Sequence, residues 1–236
     1  MKANNMQHHG RGFTLVELLV VIVIIAALAG LTAPKLISMR KKGDQVVAMN
    51  NGRSMVLSMN EFSTEYGGLP DKETAKQVTE NTGSKLNLNG DTANDYFRQL
   101  IAAGVIKSEE PFYSKTPYST KKPDNNVTGT KALDTGEVGF GYIMNGNGNI
   151  AIGTDDPNRI IAATPLLNAT TKGEFDVGPL DGKAALVYLD SSVKLLTIRE
   201  DNKKIAIPGS KTLLDGGEGT IWGTDIKPVM KAPKKK

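Results

Sequence analysis

No cysteine occurs among the 236 residues, which removes disulfides and thiolate chemistry whatever compartment the chain occupies. Histidine is almost as scarce: His8 and His9 both fall within the first twelve residues. Beyond them the commonest general base is missing, so catalysis would have to rest on carboxylate or Ser/Lys chemistry, and no residue spacing points to either. Aromatic residues make up only 6% of the chain against 25 glycines, a composition that favours many turns and a modest core. Neither sign of charge dominates, since 29 Lys and Arg against 25 Asp and Glu leave +4. Positive charge is concentrated near the C-terminal end, where Lys227 and Lys231 precede Lys234, Lys235 and Lys236. Without interleaved aromatics these lysines read as a solvated terminus and do not point to nucleic acid.

What the chain does have is one long apolar run. Phe13 to Ala33 is 21 residues, 13 of them Leu, Ile, Val or Phe; as a helix it would reach about 32 Å, enough to cross a hydrocarbon layer of about 30 Å. At roughly 0.3 to 0.6 kcal/mol per such residue, insertion gains about 4 to 8 kcal/mol. The run is too long and too uninterrupted for the apolar part of a cleaved secretory signal. One charge opposes it, Glu17, four residues in. A carboxylate inside a membrane is costly and usually has a partner, so a positive group is expected beside it.

The residues around that acid carry a resemblance. Gly12-Phe13-Thr14-Leu15-Val16-Glu17-Leu18, behind a short leader with Lys2 and Arg11, resembles the processing and assembly signature of type IV pilins and type II secretion pseudopilins. The resemblance implies that a prepilin peptidase cuts after Gly12 and methylates the new amine of Phe13, and that Glu17 then faces the terminal amine of a neighbouring subunit. An ammonium and a carboxylate within about 4 Å in poorly hydrated surroundings attract strongly, so each makes the other tolerable. It further implies a structural subunit, not an enzyme. The implied partners are other copies or related pilin subunits, the peptidase, the inner-membrane assembly machinery and, before assembly, membrane lipid. The implied location is the bacterial inner membrane, crossed once, with the C-terminal domain in the periplasm and later in a periplasmic or extracellular filament. Charge alone does not orient the span, because Lys35, Arg40, Lys41 and Lys42 flank its other end. Loss of residues 1–12 would leave 27 basic against 25 acidic residues, or +2. Many members of the family close their C-terminal region with a disulfide; here hydrophobic packing or a bound cation has to substitute.

Taken in order, the chain predicts an α+β fold: a long N-terminal helical spine, its first half transmembrane, packed against a small antiparallel β-sheet domain with long loops. The expected divisions are a leader at 1–12, a transmembrane or filament-core half-helix at 13–34, an amphipathic half at 35–66, a globular α+β domain at 67–225 and a basic flexible tail at 226–236. Pro34 removes a backbone donor and, with Gly30, Thr32 and Ala33, marks a weakly helical stretch where a kink is expected. Ala48, Met55, Met59, Phe62 and Tyr66 fall on one helical face, and Gly67, Gly68 and Pro70 end it. Residues 70–90 read as a polar loop with a short helix near 72–80. Thr92-Ala93-Asn94-Asp95 opens an amphipathic helix bearing Phe97, Leu100, Ile101 and Val105 and ending near Gly104. Residues 110–136 read as the longest surface loop. Asn145-Gly146-Asn147-Gly148 predicts a hairpin between 138–144 and 149–152, and Gly139-Phe140-Gly141 fits a close-packed strand better than a phosphate loop because no helix follows. Residues 159–167, interrupted by Pro165, predict an edge strand; 184–189 and 193–198 predict a hairpin across Asp190-Ser191-Ser192, and 205–207 a last short strand. Trp222 is expected to dock as a plug.

The leading functional reading is a filament subunit, and the alternative is a membrane-tethered periplasmic binding module that does not polymerise. Asp155 with Asp156, and the stretch between Asp215 and Asp225, offer hard oxygen ligands for a structural calcium ion. Their spacing matches no defined calcium loop, so solvated turns and no cofactor are expected. The signature does not separate a type IV pilus from type II secretion.

Overall fold

The computed structural model describes residues 13–129, 131–167, 173–207 and 211–235, and the chain divides into two units, Met1–Arg40 and Lys41–Lys236. Helix α1 (Leu15–Tyr66) contributes to both. The leader expected at 1–12, with Gly12 and both histidines, lies outside the described residues.

In the first unit, residues 13–37 are exposed throughout, and α1 carries a stretch long and apolar enough to cross a membrane. The helix runs unbroken through Pro34. Proline brings no N–H, so the carbonyl of Gly30 loses its usual donor. Two residues earlier, the Thr32 hydroxyl donates back to the carbonyls of Leu28 (3.0 Å) and Ala29 (3.3 Å).

In the second unit, α1 turns Ala48, Met55, Met59, Phe62 and Tyr66 into the core as their spacing predicts. Gly52 and Val56 join them. At Gly52 a side chain has no room: a Cβ there would lie 2.9 Å from Val187 Cγ2 and 3.2 Å from Val193 Cγ2. Helix α2 (Lys72–Thr82) starts in a reciprocal cap, in which Asp71 accepts from the backbone of Glu73 and Thr74 while Thr74 accepts from the backbone of Asp71. Helix α3 (Ala93–Ala102) starts in another, built from Thr92 and Asp95. Every residue of 93–101 is buried, Asn94, Asp95, Arg98 and Gln99 included, so the expected polar face of this helix is absent. Those polar groups are paired instead: Arg98 meets Asp95 at 2.5 Å and donates to the carbonyls of Ala132 and Leu133.

The strands are β1 (Gly141–Asn145), β2 (Ile160–Thr164), β3 (Lys183–Tyr188), β4 (Val193–Thr197), β5 (Ala206–Ile207), β6 (Lys211–Thr212) and β7 (Pro228–Lys231). Five form an antiparallel sheet in the order β4-β3-β2-β1-β7, and β5 pairs with β6 alone. Both faces of the sheet are covered. Tyr142, Met144, Ala185 and Val187 pack with the helices, while the intervening Ile143, Ala184 and Leu186 pack with Phe175, Ile205, Leu213, Trp222 and Ile226. This is the period-two alternation of a strand. β2 breaks it, sending both Ile161 and Ala162 to the helical side, because its register with β3 shifts between Ile160 and Ala162. The extra residue of that bulge resets the alternation.

Four expectations need correction. The strand expected at an edge because of Pro165 is the central one: β2 ends at Thr164, so the proline removes no donor from the ladder. Its run Ile160-Ile161-Ala162-Ala163 is what burial on both faces requires. Of the hairpin expected around residues 145–148, only the Asn145–Ile150 bridge forms, and β1 pairs with β2 and β7 instead. The segment 110–136 is not simply a surface loop, for Pro111, Phe112, Ser114, Thr116, Tyr118, Ala132 and Leu133 are buried. Finally, the basic flexible tail contains β7. Met230 is buried, Ala232 accepts a hydrogen bond from the backbone of Ala93, and Lys234 donates one to Asn94. The three apolar side chains of Pro228-Val229-Met230 are enough for an edge strand, and the lysines around them hide the pattern. Gly139 and Gly141 are close-packed as expected: a Cβ at Gly139 would strike the backbone of Ser114, and one at Gly141 would lie 2.5 Å from Leu166 Cδ1.

Candidate functional site

The first turn of α1 is built by its own sequence. Thr14 precedes the helix, and Glu17 is its third residue, so Thr-x-x-Glu occupies the positions of a capping box. One carboxylate oxygen of Glu17, Oε2, accepts from the Thr14 backbone N–H at 2.9 Å and from the Thr14 hydroxyl at 2.8 Å. The Thr14 hydroxyl oxygen in turn accepts from the Glu17 backbone N–H at 3.2 Å. Two backbone donors that a helix start leaves unpaired are thereby satisfied. The charge also sits at the positive end of the helix dipole.

This box fixes where the acid points. Glu17 is held back towards residue 14, next to Phe13, whose side chain is 75% exposed. A cut before Phe13 would create an ammonium within one turn of the carboxylate. Pro34 is 17 residues from Glu17, about 26 Å along the helix at 1.5 Å per residue, and takes no part in this arrangement. The reading of Glu17 from sequence asked only for a positive partner and missed Thr14, although the Thr-x-x-Glu spacing was there to be read.

Farther along the chain, the acidic groups considered for calcium are engaged in their own turns. Asp155 pairs with Arg159 at 2.5 Å, and Asp156 accepts from the backbone of Asn158. Asp215 accepts from both the backbone and the hydroxyl of Thr212, at 2.7 Å each, and Asp225 accepts from the Thr224 hydroxyl. A different group, unrecognised in the sequence, does converge. Glu109, Asp124 and Glu137 each bring a carboxylate oxygen within 4.8 Å of the others. Burial pushes the carboxyls of Glu109 and Glu137 above the usual carboxylate range, against backbone N–H groups that favour the charged form. Their separations of 15 and 13 residues match no motif, and only the path of 110–136 brings them together. Trp222 is buried, and its indole N–H donates to the carbonyl of Leu213 at 2.7 Å, which makes it a plug and not a contact residue.

Comparison with known proteins places these features. The model of the prokaryotic N-terminal methylation motif matches residues 8–33, the stretch that contains Phe13, the capped Glu17 and the whole apolar run. The chain is 40% identical over 76 residues to the type II secretion system core protein G of Escherichia coli (strain K12), a match that covers 29% of this chain and 50% of that protein. It thus spans about half the length of this curated relative. No solved structure matches. With that motif at the head of an exposed apolar helix, and an α+β domain with an antiparallel sheet after it, the N-terminal part of the chain carries the signature of pilins and pseudopilins and is similar to a structural subunit of that kind.

Proposed function

We propose that this chain is a subunit of a pilin-like filament, stored in the bacterial inner membrane by the first half of α1 and drawn from it on assembly. A prepilin peptidase cuts between Gly12 and Phe13 and methylates the Phe13 amine. In the filament Glu17 pairs with the terminal amine of a neighbouring copy or related subunit, while the exposed Leu, Ile and Val side chains of residues 15–31 pack against their counterparts. The C-terminal domain stays on the periplasmic side throughout. Similarity to a type II secretion core protein favours a periplasmic pseudopilus over a surface pilus.

The observation that carries this reading is the capped acid at the start of an apolar half-helix whose residues 13–37 are all exposed. In a lone membrane anchor Glu17 would only add cost. In a bundle of such helices a carboxylate pre-positioned by Thr14 has a defined place to meet an amine. Apolar contacts along the helix supply the remaining adhesion once lipid has been left behind.

The test is the intact mass of the protein purified from cells with and without an active prepilin peptidase. With the enzyme, the chain begins at a singly methylated Phe13; without it, residues 1–12 remain. A full-length chain in both strains contradicts the proposal.

A further inference from the structure

Four Asn-Gly pairs occur in the chain, at 51–52, 89–90, 145–146 and 147–148, and the filament reading gives them no task. The pair has a chemistry of its own. The backbone nitrogen of the glycine can attack the side-chain carbonyl of the asparagine, because glycine puts no side chain in the way and its backbone turns freely. The structure separates the four. Asn51 lies in α1, where the Gly52 N–H belongs to the helix, and its amide donates to the Tyr113 carbonyl at 2.9 Å. At Asn145, Oδ1 accepts from the backbone of Asn147 at 3.0 Å and of Lys227 at 3.1 Å, while the Gly146 N–H donates to the Lys227 carbonyl at 2.7 Å. Gly146 is also wedged in, since a Cβ there would lie 2.8 Å from Val229 Cγ1. At both sites the reacting groups are tied down. Asn147 and Gly148 differ on each point. Both are exposed in the turn closed by the Asn145–Ile150 bridge. Gly148 has a φ of 79°, its N–H has no hydrogen-bond partner among the described residues, and a Cβ would meet only Ile150 Cγ2 at 3.7 Å. The Asn147 amide makes one long contact, donating to the Asp225 carbonyl at 3.3 Å. Asn89 is exposed too, but Gly90 abuts the Asp95 carboxylate and Asp91 is the next residue. Attack requires the glycine nitrogen to shed its proton, and carboxylates alongside oppose the negative charge that results. In the depression beside Asn147 the acid Asp215 is offset by Lys227.

We infer that Asn147 is a site of self-modification, where this chain loses a side-chain amide with age. The deprotonated Gly148 nitrogen bonds to Asn147 Cγ, the bond from Cγ to Nδ2 breaks, and the departing nitrogen takes protons from water and leaves as ammonia. Water then opens the five-membered imide at one of its two carbonyls. The product is aspartate in the ordinary main chain or isoaspartate with one more carbon in it. Water is the sole co-reactant, and nothing is oxidised or reduced. Either product has a carboxylate in place of the amide, and a carboxylate cannot donate to the Asp225 carbonyl. The turn therefore loses its hydrogen bond to the segment that carries Trp222. This inference does not depend on filament assembly.

The experiment incubates the full chain in detergent at mildly alkaline pH, folded and in urea, and follows each Asn-Gly peptide by mass, by isoaspartate content and by uptake of oxygen from isotopically labelled water. In urea all four sites are expected to convert, which shows the chemistry to be available to each. Folding is expected to spare Asn51 and Asn145 and to leave Asn147 the fastest. Each hydrogen bond that must open first slows attack by about fivefold, so Asn145 should trail Asn147 by more than about tenfold. Asn147→Gln keeps the amide but closes only a slower six-membered ring; position 147 should then stay unmodified while the other three sites behave as before. Two results overturn the inference: a folded chain that keeps Asn147 intact over the time in which the unfolded chain converts it, or conversion of Asn145 or Asn89 in the folded chain as fast as that of Asn147.

Discussion

Replacing Gly52 by alanine sets two well-known effects against each other at one atom. In a helix interior the change gains about 1 kcal/mol, because glycine loses the most backbone freedom on folding. Here the new methyl would lie 2.9 Å from Val187 Cγ2 and 3.2 Å from Val193 Cγ2, inside the roughly 3.5–4.0 Å at which carbon atoms attract. Neither valine can turn aside. Both are β-branched, both are buried in the sheet, and forcing an extra methyl into such packing costs typically about 1–3 kcal/mol. The net expectation for Gly52→Ala is a loss of about 0–2 kcal/mol. In a Val187→Ala background the nearest obstacle is gone, so the same substitution should recover most of the helical gain of about 1 kcal/mol. The four proteins of this cycle, unfolded by urea in detergent and read by the fluorescence of Trp222, should therefore show a coupling of about 1–3 kcal/mol. Sites that do not touch add within about 0.5 kcal/mol. Coupling that small would refute the seating of α1 on β3.

Three further outcomes follow from the C-terminal part of the sheet and the layer beneath it. Met230→Ala should cost about 2–5 kcal/mol in the same unfolding assay, as for a core methionine; no change would return β7 to a loose tail. Trp222→Phe keeps an aromatic ring but strands the Leu213 carbonyl, and a loss of about 1–3 kcal/mol is expected, followed by far-ultraviolet circular dichroism because the change removes the single tryptophan. Burial pushes Asp91 up, but hydrogen bonds from Lys231 and Tyr96, at 2.8 Å each, and the charge of Lys231 hold its carboxyl below the ordinary value. A depressed carboxylate stabilises fully above its unfolded value, near 4, and the benefit is lost as pH falls through the folded value. Asp91 is half exposed, so the effect is under about 1 kcal/mol. Lys231→Met should flatten the decline of the unfolding midpoint between neutral pH and about pH 3, and an unaltered slope would count against the pairing.

How much of this was legible in the sequence depended on whether the signal was local. The stripe from Ala48 to Tyr66, the stop at Gly67 and the hairpin across Asp190-Ser191-Ser192 are short-range patterns, and each appears where its residues predict. The first turn was half legible: Glu17 stood out as an anomaly, yet its capping partner three residues away passed as part of a motif. Failures came where partners are distant. Pro165 suggested an edge because its lack of an N–H is visible in sequence, whereas the neighbours of β2 are not. The lysines after Ile226 suggested solvent, because strand β7 depends on an edge of β1 more than eighty residues earlier. Helix α3 looked amphipathic because Asn94, Asp95, Arg98 and Gln99 are polar, and nothing local announces the carbonyls of residues 132–133 that accept from Asn94 and Arg98, or the Asp71 carbonyl and Thr74 hydroxyl that pair with Gln99. The carboxylates at 109, 124 and 137 escaped notice for the same reason.

The central claim is that the charge of Glu17, and not merely its hydrogen bonds, recruits the next subunit. Glu17→Gln separates the two, since glutamine can serve at the third position of a capping box as glutamate does. The decisive measurement is the amount of filament seen by electron microscopy in cells that hold equal amounts of processed wild-type or Glu17→Gln protein in the membrane. Wild type should polymerise and Glu17→Gln should insert normally but fail to assemble; equal filament yield from the two would contradict the account.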